Sequence, residues 1–206
     1  RAADVVSGSY AWPAAATTYA QFNTAAFAYS YQRIVAAIGN SAPFDSPLAF
    51  DADGVAGVPT GAVLIYSNGE LAKTGNATTV GATAKAASAY DSSGSAICLN
   101  AGTVATNATD RSASFDARTL FYLMSTDAAG ATTNGYLKRV AIWNSRLSDG
   151  ALQFLTASDE DQAAAAAWVL TDPVSTLPAT LDIDFVGERV RDKKGKVVQK
   201  AKRYLT

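Results

Sequence analysis

The groups able to do chemistry in this chain are carboxylates and amines, because histidine is absent from all 206 positions. Without an imidazole the chain lacks the usual general base near neutral pH and the commonest metal ligand. A Ser-His-Asp type of nucleophilic site is therefore excluded. The one cysteine, Cys98, sits in the apolar run Ala96-Ile97-Cys98-Leu99. It has no intrachain disulfide partner, and one thiolate among carboxylates is a poor zinc donor set. It is expected to act as a small buried hydrophobe. No phosphate-cradling Gly-Lys-Ser/Thr loop occurs.

Three acid groupings remain. Asp182 and Asp184 alternate with Leu181, Ile183 and Phe185. In a strand the two acids share one face, and paired carboxylates are what glycoside hydrolysis needs. Asp51-Ala52-Asp53-Gly54 begins like a calcium loop, but an EF-hand fails because its twelfth position, 62, is Ala. A looser calcium site at Asp51 and Asp53 stands as the alternative to a tight Asp-Gly turn. The turn is the preferred reading, and no other cofactor is expected. Asp159-Glu160-Asp161 invites a metal reading too, but acids in a helix's first turn already match its dipole and exposed N–H groups, so no metal site is assigned. Among aromatics, Trp12, Tyr19 and Trp143 could stack on sugar rings or pack in a core, and residue type leaves both open.

Charge is unevenly distributed. Residues 188–206 hold eight Lys/Arg and two acids, a charge of +6, whereas the rest holds nine Lys/Arg and sixteen acids, a charge of −7. The basic residues are Arg189, Arg191, Lys193, Lys194, Lys196, Lys200, Lys202 and Arg203. Such a cluster could neutralise phosphates or dock on an acidic protein surface. Val190, Val197, Val198, Tyr204 and Leu205 are interleaved with the charges, which favours an arm ordered against a partner over nucleic-acid contact. No apolar run approaches the roughly 18 residues of a membrane span, and no basic-then-apolar signal segment opens the chain. A start at Arg1 rather than Met is expected of a fragment or a processed product.

Strands must position these groups. Residues 31–39 suit a buried strand ending at glycine. Residues 41–61 read as loop, with Pro43, Pro47 and Pro59. Val63–Tyr66, the turn pair Asn68-Gly69 and Glu70–Lys73 read as a hairpin. Residues 82–91 and 95–100 form strands around Ser92-Ser93-Gly94, and a second turn at Asn100–Gly102 leads into 103–107. Residues 118–126 and 136–143 are strongly β-prone. Helix is expected only late: Ser148 caps a short one carrying Leu152, Phe154 and Leu155, and a second begins at Ser158. Short strands with turns every 8–12 residues indicate an all-β sandwich or barrel.

Residues 135–157, GYLKRVAIWNSRLSDGALQFLTA, resemble the closing strand and terminal helix of concanavalin A-like (laminin-G-like) jelly rolls, in the version found in bacteriophage virion proteins. Gly135, Leu137, Arg139, Val140, Trp143, Arg146, Leu147, Ser148, Asp149, Leu152, Leu155 and Thr156 carry the match. Tyr90, Leu99, Asn100 and Gly102 fall where that family's central hairpin turns. The resemblance covers about residues 84–157 and is faint over 19–83. One departure is Ala151, where the family often has an acid completing a capping box. With Gly150 beside it, a shorter helix is expected.

The resemblance implies an antiparallel β-sandwich over 1–157, closed by Leu137–Trp143 as an edge, then helix and linker over 158–180 and a basic strand or arm over 181–206. It implies a non-enzymatic virion surface protein, a fibre, spike or capsid decoration, whose outward loops bind a host-surface glycan. Asp51, Asp53, Asp91 and Asn100 are the ligand-binding candidates. The eight basic residues would dock onto other virion proteins or a second copy. A purely structural decoration protein with no ligand is the alternative. An endo-glycosidase comes third, because the Glu-x-Asp-x-x-Glu pattern of glucan-cleaving enzymes on this fold is missing: Glu70, Glu160 and Glu188 are the only glutamates.

Overall fold

The computed structural model describes residues 6–26, 33–38, 45–50, 61–67, 70–110, 112–124, 134–160, 162, 181–184, 189–191, 197–199 and 202–204. In chain order the strands are β1 (Val6–Ser9), β2 (Ala16–Ala26), β3 (Arg33–Ile38), β4 (Asp45–Phe50), β5 (Ala62–Tyr66), β6 (Glu70–Ala77), β7 (Thr83–Asp91), β8 (Gly94–Leu99), β9 (Ala105–Asn107), β10 (Leu120–Leu123), β11 (Asn134–Trp143), β12 (Leu181–Asp184), β13 (Arg189–Arg191), β14 (Val197–Gln199) and β15 (Lys202–Tyr204). The helices are α1 (Ser112–Asp116) and α2 (Asp149–Thr156).

Two antiparallel sheets carry the fold. One is ordered β1-β10-β3-β4-β5-β6 and the other β15-β12-β11-β2-β7-β8-β9. A single buried cluster joins them. Ile34, Leu48, Val63, Ile65 and Phe121 come from the first sheet, and Ala20, Phe22, Ala86, Ile97, Val140 and Ile142 from the second. This is the sandwich expected from the strand spacing. The β5–β6 hairpin forms with Tyr66 opposite Glu70, while Asn68 and Gly69 themselves lie outside the described residues.

A second core lies on the outer face of the seven-stranded sheet. Along β2, Ala16, Ala20 and Phe22 point between the sheets, while Tyr19 joins Ala87, Ala89, Ala96, Cys98, Ala141 and Trp143 outside. Onto these small residues packs α2, through Ala151 and Leu152, with Leu147 just before it. Alanine is a mediocre strand former, but on this face its lack of bulk lets a helix approach the sheet. Ser148 caps α2 as expected, its Oγ accepting from the Ala151 N–H at 3.3 Å. The helix is eight residues long, in keeping with the missing capping-box acid.

Three readings need correction, and a stretch without a clear pattern gains structure. Residues 1–30 hold two strands, β1 and β2. The long strand β2 is covered on both faces over much of its length, so it shows no clean polar–apolar alternation. The loop-dense stretch contains β4. Its Pro47 is accommodated by register shifts against both neighbours, between Val35 and Ala37 and between Ser46 and Ala49. Helix is not confined to the late region, since α1 buries Phe115, whose ring stacks on Tyr90 at 4.1 Å. Finally, β11 is not an edge. It lies between β2 and β12, with Val140 opposite Ala20 on one side and Ile183 on the other.

One buried ion pair spans the first sheet's end. Arg118 Nε donates to Asp45 Oδ2 at 2.7 Å, and Asp45 is 1% exposed. No helix among the described residues is long and apolar enough to cross a membrane.

Candidate ligand-binding groove

The outer face of the seven-stranded sheet divides along its strands. Cross-strand rows Trp143–Thr17–Ala89–Ala96 and Ala141–Tyr19–Ala87–Cys98 lie in the region of the α2-covered cluster. The next rows, Arg139–Gln21–Lys85 and Tyr136–Asn23–Thr83, are polar and lie beyond the helix's C-terminal end. A groove of about 440 Å³ opens there, lined by Gln21, Thr83, Lys85, Asn100, Ala101, Lys138, Thr156, Ala157, Ser158 and Asp159.

Its floor is fixed by a network around Lys85. The Lys85 side chain is 10% exposed; Nζ donates to the Ala157 carbonyl at 2.7 Å and to Asp159 Oδ1 at 2.6 Å. A cation at a helix C-terminus satisfies carbonyls that have no partner within the helix. Gln162 Nε2 completes this end, donating to the Phe154 and Leu155 carbonyls at 3.0 Å each. The same pairing holds the Asp159 carboxyl below the usual carboxylate range, first by the hydrogen bond from Lys85, then by its charge and that of Lys138.

The turn after β8 is held as firmly. Asn100 and Ala101 both adopt left-handed backbone, with φ 49° and 54°. Asn tolerates this conformation, but for Ala it costs about 1–2 kcal/mol. Two contacts offset it. Asn100 Oδ1 accepts from the Lys85 N–H at 2.8 Å, and the Ala101 N–H donates to Thr156 Oγ1 at 3.0 Å. Cys98 Sγ lies 3.2 Å from that hydroxyl and donates to the Gly102 carbonyl at 3.3 Å. Burial pushes the thiol up; contacts to Thr156 and to the Leu99 backbone act the other way.

Above this floor several polar groups are unused. Asn100's Oδ1 is taken by a backbone N–H, which fixes the amide's orientation. That leaves its Nδ2, and the whole carboxamide of Gln21, without a protein partner among the described residues. Lys138 occupies a bulge where the β11 register shifts between Leu137 and Arg139. Leu137 packs on the inner core, whereas Lys138 Nζ reaches over the outer face to Thr83 Oγ1 at 3.1 Å. The bulge keeps Arg139 on the outer face after Lys138 and returns Val140 to the inner core. Among the described residues Lys138 has no carboxylate within ion-pair distance. Tyr136, on the row of Thr83, is 73% exposed. Directly before it, Gly135 lies so close to the Asn23 carbonyl that a Cβ would collide with it.

The sequence-chosen residues fall as follows. Asn100 lines the groove. Asp91 lies at the opposite end of the β7–β8 hairpin, opposite Gly94, where its Oδ1 accepts from the Ser93 N–H and hydroxyl at 2.8 and 2.5 Å. The structure thus does not bring these two together. Asp51, Asp53, Lys193, Lys194, Lys196 and Lys200 lie outside the described residues. Arg189 and Arg191 are in β13, and Lys202 and Arg203 in β15. Asp182 and Asp184 pair by register with Ala141 and Arg139, so their strand extends the seven-stranded sheet. Trp12, Tyr19 and Trp143 are all buried, at 1%, 6% and 8% exposure, which decides them as packing residues. Gln21, Thr83, Lys85 and Lys138 were not singled out by sequence reasoning. Lys85 had a signal: it is the only cation in the small-residue strand TAKAASAYD.

No family model matches the chain, and no curated protein matches it. Solved structures do. The Ruminococcus gnavus IT-sialidase CBM40 bound to α2,3-sialyllactose aligns with 72% of this chain and 84% of its own, at TM-score 0.56 and 14% identity. The native heptameric SAP-like pentraxin of Limulus polyphemus aligns over 73% and 74%, at 0.53 and 10%. Domain 4 of AbnA, a GH43 extracellular arabinanase from Geobacillus stearothermophilus in complex with arabinotriose, aligns over 68% and 66%, at 0.50 and 12%. A mutant Trypanosoma rangeli sialidase displaying trans-sialidase activity is matched over only 22% of its length. At such identities what is shared is the fold, a concanavalin A-like antiparallel β-sandwich.

Proposed function

We propose that this chain is a non-enzymatic glycan-binding module on the surface of a bacteriophage particle, as a fibre, spike or capsid decoration. The observation that carries the glycan part is the groove. Gln21, the Asn100 amide and Lys138 present unused hydrogen-bonding groups beside the exposed Tyr136. Sugar recognition needs this combination, with fixed polar groups for ring hydroxyls and an aromatic face for the ring's C–H surface. Sugar-bound neighbours of the same fold, CBM40 with sialyllactose and the AbnA domain with arabinotriose, support the reading.

The non-enzymatic part of the proposal draws on the groove's composition. Among its described lining residues Asp159 is the single carboxylate, and that group is tied to Lys85. Cleaving a glycosidic bond takes two carboxyl groups about 5–10 Å apart. The virion part rests on the resemblance of Gly135–Thr156 and on the split between an acidic body and a basic C-terminal segment. That segment is read as docking onto an acidic partner or a second copy.

Two experiments test this. The full chain is screened against a panel of bacterial and host-type glycans, with Tyr136→Ala as the paired variant. Binding that weakens about tenfold or more in the variant supports the reading, and no binding to any glycan reduces the protein to a structural decoration. Particles carrying a chain without residues 188–206 test attachment: continued incorporation contradicts the docking role.

A further inference from the structure

We infer that the groove's ligand is an acidic glycan, with the sugar's carboxylate held by Lys138. This rests on the glycan-binding reading and adds the ligand's charge.

Two lysines in one groove differ in what they hold. Lys85 is spent: its Nζ donates to the Ala157 carbonyl and to Asp159, and its side chain is 10% exposed. Lys138 is not. Among the described residues its one polar contact is the neutral hydroxyl of Thr83 at 3.1 Å, and no acid lies within ion-pair distance of it. Asp159 is lowered first by its hydrogen bond from Lys85 and only last by the charge of Lys138, with which it makes no ion pair. The described lining thus carries two cations and one carboxylate, an excess of one positive charge.

Strand alternation carries Lys138 to the outer face, opposite Leu137, which packs on the inner core. The bulge that follows keeps Arg139 in the outer Gln21–Lys85 row and returns Val140 to the core, so two cations follow each other on that face. Beside Lys138, the Gln21 carboxamide and the Asn100 Nδ2 have no protein partner among the described residues and can bond to hydroxyls or to a second carboxylate oxygen. An ammonium facing a carboxylate makes a charge-assisted hydrogen bond, stronger than a neutral one. Part-burial in a groove also screens it less than on an open surface. Tyr136, two residues away, offers a flat face to the same sugar ring or the next.

The test uses matched probes on the full chain. Hexagalacturonate and its fully methyl-esterified form share their rings and differ in charge, as sialyllactose and lactose differ by one acidic residue. Dextran sulfate distinguishes a general anion site from a carboxylate site. Titration calorimetry at low and at about 0.5 M salt gives affinities. The inference expects at least one carboxylated probe to bind tenfold or more tighter than its neutral counterpart. That preference should fall with salt and collapse in Lys138→Gln, and be retained largely by Lys138→Arg. Unchanged thermal unfolding of the variants shows that the fold is intact. Equal affinity for charged and neutral partners overturns the inference while leaving glycan binding standing. Dextran sulfate binding as tightly as the carboxylated probe overturns the carboxylate assignment. No binding to any sugar overturns the glycan reading itself.

Discussion

Lys85 Nζ stands 2.6 Å from Asp159 Oδ1 and 2.7 Å from the Ala157 carbonyl, so one buried lysine joins the floor of a sheet to the end of the helix lying on it. The groove exists because of this junction: α2 stops at Thr156, the chain turns over Lys85, and the polar half of the sheet is left open.

The junction has a pH signature. Asp159's folded-state ionisation is lowered from its ordinary value of 3.8. A depressed carboxyl stabilises the fold above its unfolded value, and the contribution is lost as pH falls through the folded one. Wild-type protein should therefore lose more stability than Asp159→Asn on acidification from about pH 5 to below 3.8, read as the shift in urea midpoint. Parallel curves for the two proteins contradict the assignment. Lys85→Met, which also removes the bond to Ala157, should cost about 1.5–3 kcal/mol at neutral pH.

The Arg118–Asp45 pair makes a stronger stability prediction. Asp45 is 1% exposed and the Arg118 side chain 10%. Removing one partner of a buried pair leaves the other's charge uncompensated, at a cost of about 3–5 kcal/mol. Asp45→Ala should fall in that range by denaturant unfolding. A loss under about 1 kcal/mol places the pair in water instead.

Cys98 should be chemically silent while the protein is folded. Its raised thiol ionisation and its position under α2 both deny it thiolate character. Ellman's reagent at pH 8 should react only after unfolding. Prompt stoichiometric reaction with the native chain contradicts the packing of α2 on this face.

The sequence made some of this legible and hid the rest for physical reasons. The hairpin 83–99 and strand β11 stand out because their turns and β-prone residues are local signals. Ser148 is recognisable as a cap for the same reason. β2 does not stand out, since a strand covered on both faces loses the alternation that marks one. Of the site, Asn100 could be found from its turn, but Lys138 could not. Its role as a groove cation depends on β2 and β7 lying beside β11, and β2 is more than a hundred residues earlier in the chain. Lys85 could have been noticed as a lone charge among alanines, although its partner Asp159 reads from sequence as an ordinary first-turn helix acid.

The central claim is that this groove is where a glycan sits. Amide chemical shifts of the ¹⁵N-labelled full chain, followed as the best-binding sugar is added, test it most directly. The account predicts saturable shifts centred on Gln21, Thr83, Lys85, Asn100, Tyr136 and Lys138. Shifts confined to the opposite end of the β7–β8 hairpin around Asp91, or to the six-stranded sheet, would contradict it.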